Sequence, residues 1–138
     1  MHQTLEPGCA WMAPGELHMA VERDGDAVRI VTHRNAAENS CRPAVDVLFR
    51  SVAEVYGPHA LAVVMTGMGQ DGLRGCEQIR AAGGQVLVQD EGSSVVWGMP
   101  GFVARAGIAD QILPLSELGP EILDRAWRDR RHPLVAAV

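Results

Sequence analysis

The spacing of apolar residues changes several times along this chain, and each change predicts a different element. Met19 and Val21, then Val28 and Ile30, alternate with polar neighbours on either side of Asp24-Gly25. That pattern predicts a hairpin over 19–23 and 28–32 with a type I′ turn and one wet face. Beyond Pro43 the period lengthens: Val45, Leu48, Phe49, Val52, Ala53 and Tyr56 share one helical face, which Gly57-Pro58 ends. Residues 60–65 are then apolar without interruption, as in a strand covered on both faces. Leu73, Cys76 and Ile79 mark the inner side of a further helix that closes at Gly83-Gly84, before a short strand over 85–89. Pro100 opens a helix over Phe102, Val103 and Ala106, residues 111–113 form a terminal strand, and Ser116 caps a last helix through Leu123 and Trp127. Between Pro7-Gly8 and Pro14-Gly15, residues 9–13 read as a short strand; 34–40 read as loop, 90–98 as loop with one helical turn, and 128–138 as a frayed tail. Strands alternating with helices in one domain over 1–138 predict an α/β fold: a largely parallel, doubly wound sheet with an antiparallel hairpin.

Composition narrows the function without choosing it. The 138 residues are 47% hydrophobic and 21% charged, with a formal charge of −5. All 12 basic residues are arginine, and no basic stripe interleaved with aromatics argues for nucleic acid. Cys9, Cys41 and Cys76 are odd in number and widely spaced. They suggest reduced, buried thiols, not a disulfide framework or a metal site. No apolar run reaches spanning length and the first residues are not a signal peptide, so the expectation is a cytoplasmic domain without membrane insertion.

The candidate chemistry lies in Thr66-Gly67-Met68-Gly69-Gln70-Asp71-Gly72, a glycine-rich turn after the buried strand and before a helix. Three readings compete. Asp71 can cap the helix that begins near Gly72. Alternatively, residues 67–72 match G-x-G-x-x-G in strand-to-helix context, with Asp90 placed to read a ribose, which describes a dinucleotide site. Against this, a fixed carboxylate beside the pyrophosphate opposes binding. In the third reading Asp71 orients a catalytic histidine at the carboxyl end of the strand, and backbone N–H groups of the same turn receive an oxyanion.

Residues 66–72, followed by Gln89-Asp90-Glu91-Gly92-Ser93-Ser94-Val95-Val96-Trp97-Gly98-Met99-Pro100, resemble the catalytic domain of the bacterial chemotaxis protein-glutamate methylesterases. Ala13-Pro14-Gly15 with His18, and the block from Arg42 to Ala53, are similar to two further segments of that family, and the match runs from about Pro7 to Trp127. Ala44 and Gly92 depart from it, where serine and alanine are usual. The resemblance implies a serine hydrolase, without metal or cofactor, that cleaves γ-glutamyl methyl esters on chemoreceptor helices and often deamidates glutamines there. It places Asp71 on the catalytic aspartate and Met68 on the residue whose N–H serves the oxyanion hole.

The family's G-x-S-x-G-G nucleophile turn and its histidine are absent from this chain. His59 precedes the buried strand, roughly 20 Å from Asp71 by strand length. His18 and His33 suit polar or packing roles, and Ser93 and Ser94 suit loop structure. The resemblance therefore implies a partial catalytic domain lacking the family's first strands and inactive alone. One edge of the 60–65 strand should be open to a homodimer or to a missing N-terminal segment, and the family often carries a receiver domain as well. A non-catalytic remnant that binds receptor or partner is the alternative.

Overall fold

The computed structural model describes the backbone of residues 2–128 and 134–137, with side chains for 2–128. Two sheets lie among the described residues. The antiparallel one has the order β1-β3-β2, with β1 at His2–Thr4, β2 at His18–Asp24 and β3 at Ala27–His33. The parallel one has the order β6-β5-β4-β7, with β4 at Ala60–Val64, β5 at Gln85–Gln89, β6 at Gln111–Leu113 and β7 at Leu134–Ala137. Four helices accompany them among the described residues: α1 (Val45–Tyr56), α2 (Leu73–Ala81), α3 (Met99–Arg105) and α4 (Leu115–Arg128).

The pleat of the parallel sheet explains its layers. Side chains alternate across a strand, so Ala62, Val64, Val86 and Val88 face one way and join Phe49, Val52, Cys76, Ile79 and Val103 from α1, α2 and α3. Leu61, Val63 and Leu87 face the other way and meet Leu118 of α4. The sheet is doubly wound, and β4 is buried along its whole length. Burying a side chain such as Phe49, which is fully enclosed, contributes about 2–3 kcal/mol.

Several expectations are corrected. The hairpin pairs Asp24 with Ala27, so the two-residue turn is Gly25-Asp26, one position later than Asp24-Gly25 implied. Only Gly25 in it has positive φ (61°), which is incompatible with the type I′ turn anticipated. The face expected to be wet is partly covered, because Ala20 packs with Ala44 and Val47 at the start of α1. Residues 9–13 form no strand; β1 comes earlier and pairs with β3 instead. Leu123 and Trp127 lie on the solvent side of α4, while Leu118 and Ile122 face the sheet, and Ser116 lies within the helix. Phe102 is also largely outward. Cys76 alone of the thiols is buried, Cys9 being exposed and Cys41 half-buried.

The expected tail covers 128–138, of which 129–133 and 138 lie outside the described residues. Residues 134–137 are strand β7, pairing parallel to β4 from Ala60↔Leu134 to Val63↔Ala137. The β4 edge expected to be open is therefore covered. The homodimer through that edge loses its basis, because the backbone groups it needed are paired within the chain.

Candidate active site

Parallel pairing brings the carboxyl ends of β4, β5 and β7 to one side of the sheet. There the turn from Thr66 to Gly72 is braced by the loop after β5. Gly67 N–H donates to Val96 O at 3.0 Å, while Gly67 O accepts from Gly98 N–H at 3.1 Å and Met99 N–H at 2.9 Å. Thr66 Oγ1 donates to Val96 O at 3.0 Å and accepts Val96 N–H at 2.9 Å. A Cβ on Gly98 would stand 2.8 Å from Gly67 O and 2.9 Å from Gly69 N. Only glycine permits this approach of two backbones.

The buried Gln89 side chain ties both loops to the sheet. Its Oε1 accepts Thr66 N–H at 2.8 Å and its Nε2 donates to Ser93 O at 2.8 Å. Met68 stands at the crest of the turn, with its side chain 82% exposed. Among the described residues nothing accepts the N–H of Met68, Gly69 or Gln70. An oxyanion donor has to be available in this way.

Asp71 is 4% exposed, and its carboxylate caps a helix other than the one expected. Oδ2 accepts Val45 N–H at 2.7 Å, and Oδ1 accepts Asp46 N–H at 3.1 Å and Asn39 Nδ2–H at 3.1 Å. The residue preceding α1 is Ala44, which offers no side-chain cap. Asp71 satisfies the first orphan amides of that helix and places negative charge at its dipole's positive end. The helix that follows Asp71 is capped from α1 in return: Asp46 Oδ1 accepts Gly72 N–H at 3.0 Å and Gly75 N–H at 2.8 Å. Asp46 Oδ2 accepts the second Asn39 amide hydrogen at 2.8 Å. Two buried carboxylates thus cap each other's helices, with one asparagine between them.

This arrangement decides against the dinucleotide reading. The amides at the start of α2 that would hold a pyrophosphate already bind the Asp46 carboxylate, and a second anion there meets a like charge. Asp90, the proposed ribose acid, is turned into its own loop, accepting Ser93 N–H at 3.0 Å and Ser93 Oγ–H at 2.6 Å.

The remaining candidates have structural engagements. Ser93 Oγ also accepts Leu115 N–H at 2.9 Å, and Ser94 Oγ donates to Asp90 O at 2.6 Å. His18 is fully buried; its Nε2 lies 2.9 Å from Ala36 O and its Nδ1 accepts Ala44 N–H at 3.2 Å. The His33 ring packs 5.3 Å from it, centroid to centroid. His59 lies in the single turn Gly57–His59 at the amino end of β4, a full strand away from Asp71. Burial pushes the Cys76 thiol up to about 12, so it stays protonated and unreactive at neutral pH. No cluster of His, Cys, Asp or Glu among the described residues is arranged to hold a metal ion.

Sequence reading missed Asn39 and Asp46. Asn39 and Ser40 both have positive φ (52° and 61°), and Glu38 and Cys41 exchange backbone hydrogen bonds around them. This is the type I′ geometry that asparagine tolerates well. Glu38 anchors the turn to α1 by accepting from Arg50 Nη1 and Nη2, at 3.1 and 2.8 Å. Hydrogen bonding from Arg50 holds the Glu38 carboxyl below the usual glutamate range. The pair's contribution is present above that range and lost as pH falls through the lowered value; its exposure keeps it small. An Asn followed by Ser in a polar loop was the available signal, and it is weaker than Asn-Gly.

A doubly wound α/β domain with a helix-capping carboxylate and open backbone donors beyond the end of its central strand belongs to the class that builds sites at strand carboxyl ends. The family profile described as CheB methylesterase matches residues 1–122, and the chain belongs to that family. A protein-glutamate methylesterase/protein-glutamine glutaminase of Trichodesmium erythraeum is 63% identical over 121 residues, 88% of this chain and 34% of the relative. One from Nocardioides sp. is 54% identical over 129 residues, 94% of this chain and 35% of the relative. The crystal structure of the Thermotoga maritima CheB methylesterase catalytic domain superposes with a TM-score of 0.87 at 33% identity, covering 88% of this chain and 65% of that one. The chain thus spans about a third of the length of the curated relatives it matches.

Proposed function

We propose that this chain supplies the aspartate and oxyanion-hole portion of a protein-glutamate methylesterase. The assembled enzyme would hydrolyse γ-glutamyl methyl esters on the cytoplasmic helices of chemoreceptors and deamidate glutamines there. In this reading Asp71 holds an imidazole in the correct tautomer, and Met68 N–H receives the charge that develops on the ester carbonyl oxygen. The serine and histidine come from the part of the relatives that this chain does not span. The observation that carries the reading is the Asp71 carboxylate, fixed at the end of β4 beside open backbone donors. A carboxylate offers about four acceptor positions, and the three bonds Asp71 makes leave one for an incoming imidazole N–H. In this reading the protein acts in the cytoplasm, where the chemoreceptor helices it would modify lie. No helix among the described residues is long and apolar enough to cross a membrane.

The reading is tested by methanol release from a methylated chemoreceptor fragment. The chain alone is expected to give background turnover, because binding and oxyanion contacts without a nucleophile accelerate little. Adding the remainder of the Thermotoga maritima catalytic domain should restore hydrolysis. Robust turnover by the chain alone would show a different nucleophile; persistent silence after addition, with binding demonstrated, would favour the partner-binding remnant.

A further inference from the structure

The two buried carboxylates at the α1–α2 junction, Asp71 and Asp46, are joined by a single side-chain amide. Asn39 Nδ2 has two hydrogens and uses one on each. The assignment of nitrogen to that position follows from chemistry, since the amide oxygen would face two carboxylates. Asn39 reaches them because the Glu38–Cys41 turn carries it at positive φ and the Glu38–Arg50 pair ties the turn to α1. Its outer side faces a groove of about 490 Å³, walled also by Gln70, Leu73, Arg74 and Glu77.

The two remaining contacts of Asp71, Val45 N–H and Asp46 N–H, both come from the first turn of α1. They fix the carboxylate's distance from the helix. Each amide holds one oxygen, and the Asn39 amide, from a different element, adds a second donor to Oδ1 alone, on the side facing Asp46. We propose that Asn39 is a positioning residue for the hydrolase site. By pulling Oδ1 of Asp71 toward Asp46, it sets the plane of the carboxylate and so aims the open acceptor position at the incoming imidazole. This inference rests on the methylesterase reading.

Asn39→Gly is the informative variant, because glycine adopts the same backbone conformation without strain while removing the amide. Asn39→Asp is the contrast, placing a third carboxylate where a donor is needed. In the chain alone, Asn39→Gly is expected to speed amide hydrogen exchange at Val45 and Asp46 about tenfold, with β4 protection unchanged. In the complemented assembly it should lower kcat ten- to hundredfold at unchanged KM, and Asn39→Asp should lower it further. A loop anchor without a positioning role would lower thermal stability and leave kcat intact well below the melting temperature. Unchanged kcat in Asn39→Gly, or unchanged exchange at Val45 and Asp46, overturns the proposal. Absence of turnover with Asn39 intact overturns the methylesterase reading and the catalytic half of this one; exchange then decides alone whether Asn39 holds Asp71.

Discussion

Asp71→Ala is expected to destabilise the chain by about 2–4 kcal/mol, whatever the residue does for catalysis. Helix caps are worth about 0.5–2 kcal/mol, and hydrogen bonds to a charged group about 1.5–3 kcal/mol. The substitution removes the acceptor of Val45 N–H, Asp46 N–H and one Asn39 hydrogen in a buried setting. For a domain of this size the melting temperature should fall by roughly 8–16 °C, measurable by circular dichroism. Asp46→Ala should cost a similar amount, since Gly72 and Gly75 N–H lose their acceptor. Because Asn39 serves both carboxylates, the double variant should cost less than the sum of the singles. A change below about 0.5 kcal/mol for either single variant would contradict the reciprocal capping. Activity lost in Asp71→Ala has therefore to be separated from unfolding, and Asp71→Asn assayed well below its melting temperature is the better probe. An amide in this role costs about 10⁴-fold where a triad aspartate has been replaced.

Ending the chain at Arg128 is expected to make it self-associate. Without β7 the backbone groups that pair with it between Ala60 and Val63 have no partner, and the strand is apolar on both faces. A flat, hydrophobic, unpaired strand is a template for edge-to-edge pairing. Size-exclusion chromatography with light scattering should show dimers or larger species for the shortened chain and a smaller species for the full one. A shortened chain that stays monomeric at the same stability would show that β7 contributes nothing to closing this edge.

What could be read from the sequence followed from burial with a clear period. The uninterrupted run at 60–65 announced β4, the stripe from Val45 to Tyr56 announced α1, and the glycine turn between strand and helix located the site. The elements that were missed owe their existence to distant partners. β1 and β7 are three and four residues long and form because β3 and β4 offer edges. Asp46 was invisible for a different reason: an acidic residue in a helix's first turn already suits its own dipole. Nothing local shows that its carboxylate reaches α2 instead. The same blindness misassigned the cap made by Asp71, whose partner helix lies 25 or more positions earlier in the chain. Gln89 was the overlooked clue, a polar residue ending an apolar strand, where a buried amide is needed to join two loops.

The role proposed for Asp71 is to steer an imidazole brought by another segment. Proton NMR of the assembly formed with the remainder of the Thermotoga maritima catalytic domain addresses this bond itself. A strongly downfield, exchange-protected imidazole N–H resonance should appear on assembly and vanish in Asp71→Asn. The same resonance persisting unchanged in a folded Asp71→Asn assembly would show that the histidine has a different partner, and the claim would be wrong.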